Sequence, residues 1–276
     1  MLKNKEKILT IPGVLVLTSF AILPLLIMFV YSFQSDSAAG GVTLENYVRF
    51  FTKSLYLKLT YRTIVNSLAV TAISLLISYP LAYFMAKRFK GFRDILMVLV
   101  IIPFFTNQLV RVYSWLIFLQ DGGVLNKFAQ AVGLVSSDLG ILFTQKAVII
   151  GLVHAFFPYM VVTIYLALAR VDDHLLEASR SLGASSVSTF FNIVLPLSMP
   201  GVVTGIMIVF VPCLGTFVEP RILGGVRGTV IGTVIEDQFF EIFGWNFGAA
   251  IAFVLFALVI LSMAGLSHAG RRFENE

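Results

Sequence analysis

The sequence has few charges and almost no cysteine. Charged residues make up 13% of the 276 residues, and the single cysteine, Cys213, excludes an intrachain disulfide. The chain has no G-x-x-x-x-G-K-[ST] phosphate-binding loop, no G-x-G-x-x-G, no H-E-x-x-H and no paired-cysteine metal spacing. These absences predict a non-catalytic chain that does not hydrolyse ATP and holds no metal or cofactor of its own.

Hydrophobic residues are abundant instead, at 58% of the chain, with a mean hydropathy of +0.92. A soluble domain has only about 45–50% apolar residues, so lipid must cover much of this surface. The charges fall in clusters that leave six long uncharged stretches, at 8–35, 63–86, 95–110, 147–169, 181–218 and 242–270. A helix needs ~20 apolar residues to cross a bilayer, and strand-like alternation is absent. The predicted fold is an all-α integral membrane protein with about six transmembrane helices.

The predicted spans are 8–32, 62–85, 94–112, 145–169, 198–218 and 247–269. Lys3, Lys5 and Lys7 precede the first apolar run in the manner of a secretory signal. A cleavable signal has only ~7–15 apolar residues, so we interpret this run as a retained first span. A short helix over Trp115–Leu119 is expected at the outer surface.

Basic residues lie in short segments beside the spans, where they orient a membrane protein rather than bind nucleic acid. The clusters Lys87–Arg93 and Arg271–Arg272 both lie inside if the N-terminus is cytoplasmic. We therefore predict cytoplasmic N- and C-termini, with inside connections at 86–93 and 170–197. The outside connections are then 33–61, 113–144 and 219–246.

Three histidines, His154, His174 and His268, are far apart in sequence. Separately each is expected to be a packed or interfacial residue rather than a metal ligand. His154 lies within a predicted span, where ionisable groups usually face protein or water.

The connection 170–197 has the pattern of two short helices. Asp172 or Asp173 can cap the first helix, and Gly183 can end it. Ser185 or Ser186 can cap the second helix, and Pro196 discourages its continuation. An amphipathic helix on lipid headgroups would carry a Lys/Arg-rich polar face and bulky anchors. Small residues here favour docking against another protein.

The order and spacing of this connection resemble the E-A-A–x3–G–x9–I-x-L-P signature of type I ABC importer permeases. The matching residues are Glu177, Ala178, Ser179, Gly183, Ile193, Leu195 and Pro196. Ser179 departs from the family pattern, which usually has a second alanine. Serine is nearly as small, so close helix packing is expected to survive.

The resemblance implies a MetI-like permease fold in one transmembrane domain, 1–276, with a permease core at about 60–270. It implies that 170–197 is a coupling loop inserted into a separate ATPase, which binds the ATP. The implied partners are an ATPase subunit dimer, a second homologous permease and an extracytoplasmic binding protein, in the bacterial cell membrane.

The stretch Pro103–Tyr113 is similar to the P-F-W-T-x-x-L-I-R-x-Y stretch of polyamine permeases, with Phe105 in place of the usual tryptophan. The similarity implies spermidine or putrescine as cargo. Carboxylates and aromatic faces are the groups that meet ammonium ions. The candidate pathway residues are Thr106, Asn107, Arg111, Tyr113, Glu219, Glu236 and Asp237. The outer acids and aromatics are equally compatible with docking of the binding protein and with interface anchoring.

Three alternatives remain at this point. A permease of the same family can carry another small solute. A self-sufficient secondary carrier would more often show paired repeats and charged groups in the middle of its spans, whereas here no internal repeat is visible and only His154 and His268 lie in the longer spans. A membrane enzyme would need clustered acids with a histidine or nucleophile at one face, and the acids near Glu219 and Glu236 have no histidine beside them.

Overall fold

The computed structural model describes residues 12–35, 41–88 and 91–274, and side chains as far as residue 268. Within these ranges the chain is helical, apart from turns and one isolated antiparallel bridge between Gln34 and Val42. The all-α prediction is confirmed. Lys3, Lys5, Lys7, Lys90 and residues 8–11 of the first predicted span lie outside the described residues.

We number the helices in chain order. They are α1 (Pro12–Ser32), α2 (Glu45–Thr52), α3 (Ser54–Tyr83, continued by a π-helical segment, Phe84–Arg88), α4 (Arg93–Ile101), α5 (Gln108–Leu119), α6 (Val124–Ala131), α7 (Gln145–Arg170), α8 (Asp173–Ser181), α9 (Ser186–Thr189), α10 (Leu195–Gly215), α11 (Ile231–Phe240) and α12 (Trp245–Glu274).

The candidate spans agree with the predicted number. In the described part of the chain, five helices are long and apolar enough to cross a membrane: Pro12–Ser32, Ser54–Arg88, Gln145–Arg170, Ser186–Gly215 and Trp245–His268. A sixth span results if the bent pair Arg93–Phe105 and Gln108–Ala131 counts as one. The prediction of about six spans is therefore confirmed.

The third span is not the single helix predicted over 94–112, because the chain bends by 96° after Phe105. Pro103 lies in a 3-10 turn, Ile102–Phe105, and Thr106 is extended. The Thr106 hydroxyl donates to the Pro103 carbonyl over 2.6 Å, and the Asn107 side chain accepts from the Leu109 N–H over 2.8 Å. Two capping side chains thus end one helix and begin the next. The short helix expected at 115–119 is the end of α5.

The fifth span begins earlier than predicted, because α9 continues into α10 through a π-helical segment, Phe190–Val194. The expectation that Pro196 would discourage continuation is wrong. Pro196 occupies the first turn of α10, where proline is tolerated. The preceding π turn is the kind of irregularity at which a helix accommodates a missing N–H.

The structure divides into two compact units. One comprises Met1–Lys58 and Val234–Ala257, and the other comprises Leu59–Thr233 and Leu258–Glu276. In the smaller unit, Phe50, Tyr56 and Phe247 are buried together, with ring centroids 5.9 Å and 5.1 Å apart along the series. The guanidinium of Arg49 lies 4.1 Å from the Phe247 ring centroid. An aromatic cluster therefore forms the core of this unit.

The larger unit is built on the close approach of α7 and α10. A side chain at Gly201 would collide with Ala167, and one at Gly205 would come within 2.6 Å of Met160 and Thr163. Small residues let membrane helices approach closely enough for extensive van der Waals contact. These two helices carry the connection 170–197 between them, so their contact fixes where it begins and ends.

Candidate functional site

The first short helix of the connection 170–197 has the predicted caps. The Asp172 carboxylate accepts the His174 N–H over 3.0 Å. At the other end, Gly183 has a φ of +83°. The Ala184 N–H bonds to the Ser179 carbonyl over 3.1 Å, and the Gly183 N–H bonds to the Arg180 carbonyl over 2.9 Å. This is a Schellman ending, which requires a left-handed residue at position 183.

A buried hydrogen bond joins this helix to the second one. The hydroxyls of Ser179 and Thr189 lie 2.9 Å apart. Thr189 also donates to the Ser185 carbonyl over 3.1 Å, so Ser179 is the donor in the pair. The Ser185 side chain caps α9 by accepting the Ser188 N–H over 3.2 Å. Sequence reasoning treated Ser179 as a small residue and missed this bond, because its acceptor is ten residues away.

The opposite face of α8 is exposed. Leu176 and Ser179 are the buried members of the helix, whereas the Glu177 side chain is 70% exposed and lies 3.6 Å from the His174 ring nitrogen. Leu182 is 87% exposed and Val187 is 67% exposed. Small Ala178 lies on the same exposed face. The loop therefore presents one carboxylate among apolar and small side chains, which suits a protein partner.

The end of the motif anchors the loop to the fifth span. Ile193 packs against the buried core of the larger unit, next to fully buried Val194. Leu195 is half-buried and Pro196 is exposed. These residues hold the position of the loop, whereas Glu177 and its neighbours form the outer surface.

Lys87, on the π-helical end of α3, also contacts the loop. Its ammonium donates to the Val171 carbonyl over 2.5 Å and to the Asp173 carboxylate over 3.0 Å. The two predicted inside connections, 86–93 and 170–197, therefore meet at one end of the larger unit. The sequence offered no signal for this pair, since the residues are 86 positions apart.

The predicted pathway residues of the larger unit begin at the bend after Phe105. Thr106 and Asn107 form the bend itself. Arg111 donates to the Pro103 carbonyl over 3.3 Å, across the same bend. Tyr113, two residues after Arg111, is exposed.

A cavity of about 470 Å³ lies against this bend. Thr106 and Arg111 line it, as do Trp115 and His154, whose rings are 5.4 Å apart. The remaining lining residues are Ile102, Pro103, Val110, Ser114 and Phe118. His154 Nδ1 is buried and makes no hydrogen bond to the described residues. The cavity is thus mostly apolar, with one cation and one histidine in its wall.

Glu219 is not a wall residue of this cavity. It is 2% exposed, and its carboxylate accepts hydrogen bonds from Gln108 over 3.1 Å and from Thr216 over 2.9 Å. Gln108 is the first residue of α5, and Thr216 follows α10. The carboxylate therefore holds the start of the helix after the bend against the end of the fifth span.

Glu236 and Asp237 belong to the smaller unit, where both are half-buried on α11. Of the seven predicted pathway residues, the structure brings Thr106 and Arg111 into one cavity. Asn107 and Glu219 act in the supporting structure around the bend. His154, flagged from the sequence only as an ionisable residue in a span, joins the cavity wall.

The chain matches a protein family described as the binding-protein-dependent transport system inner membrane component, over residues 78–274. It is 40% identical over 263 residues to the spermidine/putrescine transport system permease protein PotB of Salmonella typhimurium strain SL1344, covering 92% of this chain and 91% of the relative. The level of identity and the coverage indicate a common family.

Among the solved structures that share the fold are two of bacterial transporters. One is a bacterial ABC transporter involved in the import of the acidic polysaccharide alginate, with a TM-score of 0.78, 18% identity and coverage of 96% of this chain and 94% of that chain. The other is a bacterial alginate ABC transporter in complex with a periplasmic protein bound to an alginate pentasaccharide, with a TM-score of 0.75, 19% identity and coverage of 98% and 94%.

Proposed function

Because this chain belongs to the family of binding-protein-dependent transport system inner membrane components, we propose that it is the permease subunit of an importer for spermidine or putrescine. The 40% identity to a spermidine/putrescine permease over nine-tenths of the chain carries the choice of cargo. The chain is a multi-pass inner membrane protein, and its proposed role is to provide a path across the bilayer.

The proposed energy source is a separate ATPase that docks on the loop 170–197. Support comes from the exposed surface of the loop, where Glu177 on α8 is available to a polar partner, and Leu182 after α8 and Val187 on α9 to an apolar one. Closure of an ATPase dimer would move α8, and the α7–α10 contact would pass that movement to the spans. ATP is bound by that partner and not by this chain.

The further proposed partners are a second homologous permease and an extracytoplasmic polyamine-binding protein. The likeness of fold to an alginate transporter in complex with a periplasmic protein supports an assembly of this general kind. Cytoplasmic N- and C-termini are part of the proposal, because they put the loop 170–197 on the side where ATP is available.

Polyamine passage requires weak contacts that release the cargo. An aromatic face contributes ~0.5–2 kcal/mol to a cation, and Trp115 in the cavity wall offers such a face. The acids Glu219, Glu236 and Asp237 are the proposed counter-charges for ammonium groups. In the described conformation Glu219 is enclosed, so we propose that it meets the cargo only when the bend around Thr106 moves.

One observation favours a second cargo class within the family. Arg111 lines the cavity, and a guanidinium attracts anions rather than ammonium ions. If the cavity itself held the cargo, a small anion would suit it better than a polyamine.

Uptake by a reconstituted system decides between these cargoes. Vesicles containing this chain, its partner permease and its ATPase, supplied with the binding protein, are given radiolabelled spermidine or putrescine with competing unlabelled anions, sugars or amino acids. We expect ATP-dependent polyamine accumulation that only polyamines inhibit. Entry of an anion without entry of polyamines would contradict the cargo and leave the permease role intact.

The coupling role has its own test. Glu177→Lys reverses the charge on the exposed face of α8, whereas Lys127→Glu reverses a charge on α6, outside the loop. We expect the first variant to lose ATPase association and uptake while remaining in the membrane, and the second to keep both. Normal association and uptake in Glu177→Lys would show that the loop is not the ATPase site.

A further inference from the structure

Lys87 is a buried cation in a connection whose other described basic residues, Arg88 and Arg93, are at the surface. Its side chain is 7% exposed. Arg88 beside it is exposed, and Arg93 is 53% exposed and pairs with its own neighbour, Asp94. Orientation of the protein in the bilayer requires charge in this connection but not burial. The burial of Lys87 therefore needs a different explanation.

The two acceptors of Lys87 mark the hinge between α7 and α8. Val171, whose carbonyl lies 2.5 Å from the ammonium, is the extended residue that ends α7. Asp173, whose carboxylate lies 3.0 Å away, is the first residue of α8. Lys87 thus contacts both sides of the turn between α7, the fourth span, and α8.

The helix that carries Lys87 is well anchored. Met85, two residues earlier in the same π-helical segment, is fully buried in the core of the larger unit. π-helical segments occur often at functional positions, where they redirect a side chain. The Asp173 side chain is 40% exposed, but the Lys87 ammonium is buried and would be left without compensation if it lost its acceptors, which disfavours separation of these contacts. The end of α3 is therefore held to the turn between α7 and α8.

We propose that Lys87 is a positioning residue for energy coupling, which ties the second span to the hinge 171–173 so that movement of α8 reaches α3 as well as α7. This inference rests on the proposed docking of the ATPase on α8. Lys87 itself contacts neither cargo nor ATPase in this proposal. Its effect is on how much transport results from each ATP hydrolysed.

The test compares Lys87→Met with Arg88→Met in the complete reconstituted transporter. Both substitutions remove one positive charge from the same segment and keep an unbranched side chain. Uptake of spermidine and ATP hydrolysis stimulated by the loaded binding protein are measured together. For Lys87→Met we expect normal assembly, hydrolysis within about twofold of normal, and uptake per ATP reduced about tenfold or more. Arg88→Met should keep the normal uptake per ATP.

A purely structural role for Lys87 would give a different result. Uptake, ATP hydrolysis and the amount of recovered complex would then all decrease, and uptake per ATP would stay unchanged. That outcome, or a normal ratio with full activity, would overturn the inference. If Lys87→Met is not recovered from the membrane, Asp173→Asn decides, since it keeps the bond from Lys87 to Val171. We expect uptake per ATP to fall about threefold in Asp173→Asn, and an unchanged ratio there also overturns the inference.

The variant Glu177→Lys separates this inference from the proposal beneath it. If Glu177→Lys loses ATPase association and Lys87→Met keeps a normal uptake per ATP, only the proposed role of Lys87 is contradicted. If Glu177→Lys keeps normal ATPase association and uptake, the coupling role of the loop is contradicted, and the proposed role of Lys87 with it.

Discussion

The hydroxyl groups of Ser179 and Thr189 form a buried hydrogen bond of 2.9 Å that joins the two short helices of the loop. The type I importer signature usually has alanine at the position of Ser179. The serine therefore keeps the small volume that the packing needs and adds a directional contact between α8 and α9. The angle between these helices is set by this bond as well as by the turn at Gly183.

Replacing Ser179 tests that contact. Ser179→Ala keeps the volume and loses one hydrogen bond, which contributes about 0.5–1.5 kcal/mol. We expect a small decrease in the thermal stability of the purified complex and near-normal uptake. Ser179→Leu adds volume at a buried position and should abolish ATPase association. Equal behaviour of the two variants would contradict a packing requirement at this position.

Gly183→Val should weaken the loop through its backbone. The φ of +83° suits glycine, and a side chain there costs about 1–2 kcal/mol, more for a β-branched residue. We expect ATPase association and uptake to fall while the amount of protein in the membrane stays normal. Gly91→Val is the matched control, because Gly91 lies in the other connection at a backbone position without positive φ. Loss of activity in both variants would point to general disturbance of these connections.

Gly205→Leu should destabilise the larger unit. A side chain at this position meets Met160 and Thr163 on α7 at 2.6 Å, so the two spans must separate. Overpacking of this kind costs about 1–3 kcal/mol, and membrane levels should fall with it. Gly215→Leu, at the end of the same helix with nothing within 4 Å of an added side chain, should be recovered normally. The amount of folded protein after mild detergent extraction is the measurement.

Glu219→Gln separates charge from shape at the bend. The amide oxygen can still accept one of the bonds from Gln108 and Thr216, so the local structure should persist. If the carboxylate meets an ammonium group during transport, uptake should fall several-fold while docking of the binding protein is unchanged. Asp121→Asn, at an exposed acid in a predicted outside connection, is the control. Unchanged uptake in Glu219→Gln would assign this residue to structure alone.

The orientation is tested by labelling single cysteines in a Cys213→Ser background. Arg88→Cys and Ser181→Cys lie at exposed positions in the two connections that meet at Lys87, and Val226→Cys lies at a 92% exposed position in a predicted outside segment. A membrane-impermeant thiol reagent added to intact spheroplasts should label only Val226→Cys. Labelling of Arg88→Cys or Ser181→Cys under these conditions would reverse the proposed orientation.

The sequence alone determined the class of protein, the number of spans and the two helices of the loop. Long uncharged runs are sufficient to predict the class of protein and the number of spans. In a bilayer the backbone must satisfy its hydrogen bonds internally, and a helix does this within one segment. The caps of α8 were also local, since Asp172 and Gly183 act on backbone groups within a few residues of themselves. Order and spacing of the signature gave the family.

Only the tertiary structure decided the contacts between distant segments. The 96° bend after Phe105 depends on Thr106 and Asn107 both bonding to backbone in place of a continued helix, and apolar composition gives no sign of that choice. The enclosure of Glu219, the joining of Ser179 to Thr189 and the burial of Lys87 depend on partners that the fold brings near. The sequence alone does not distinguish a charged residue at the surface from one in the core. The role of such a residue depends on its partners, and only the fold brings these partners near.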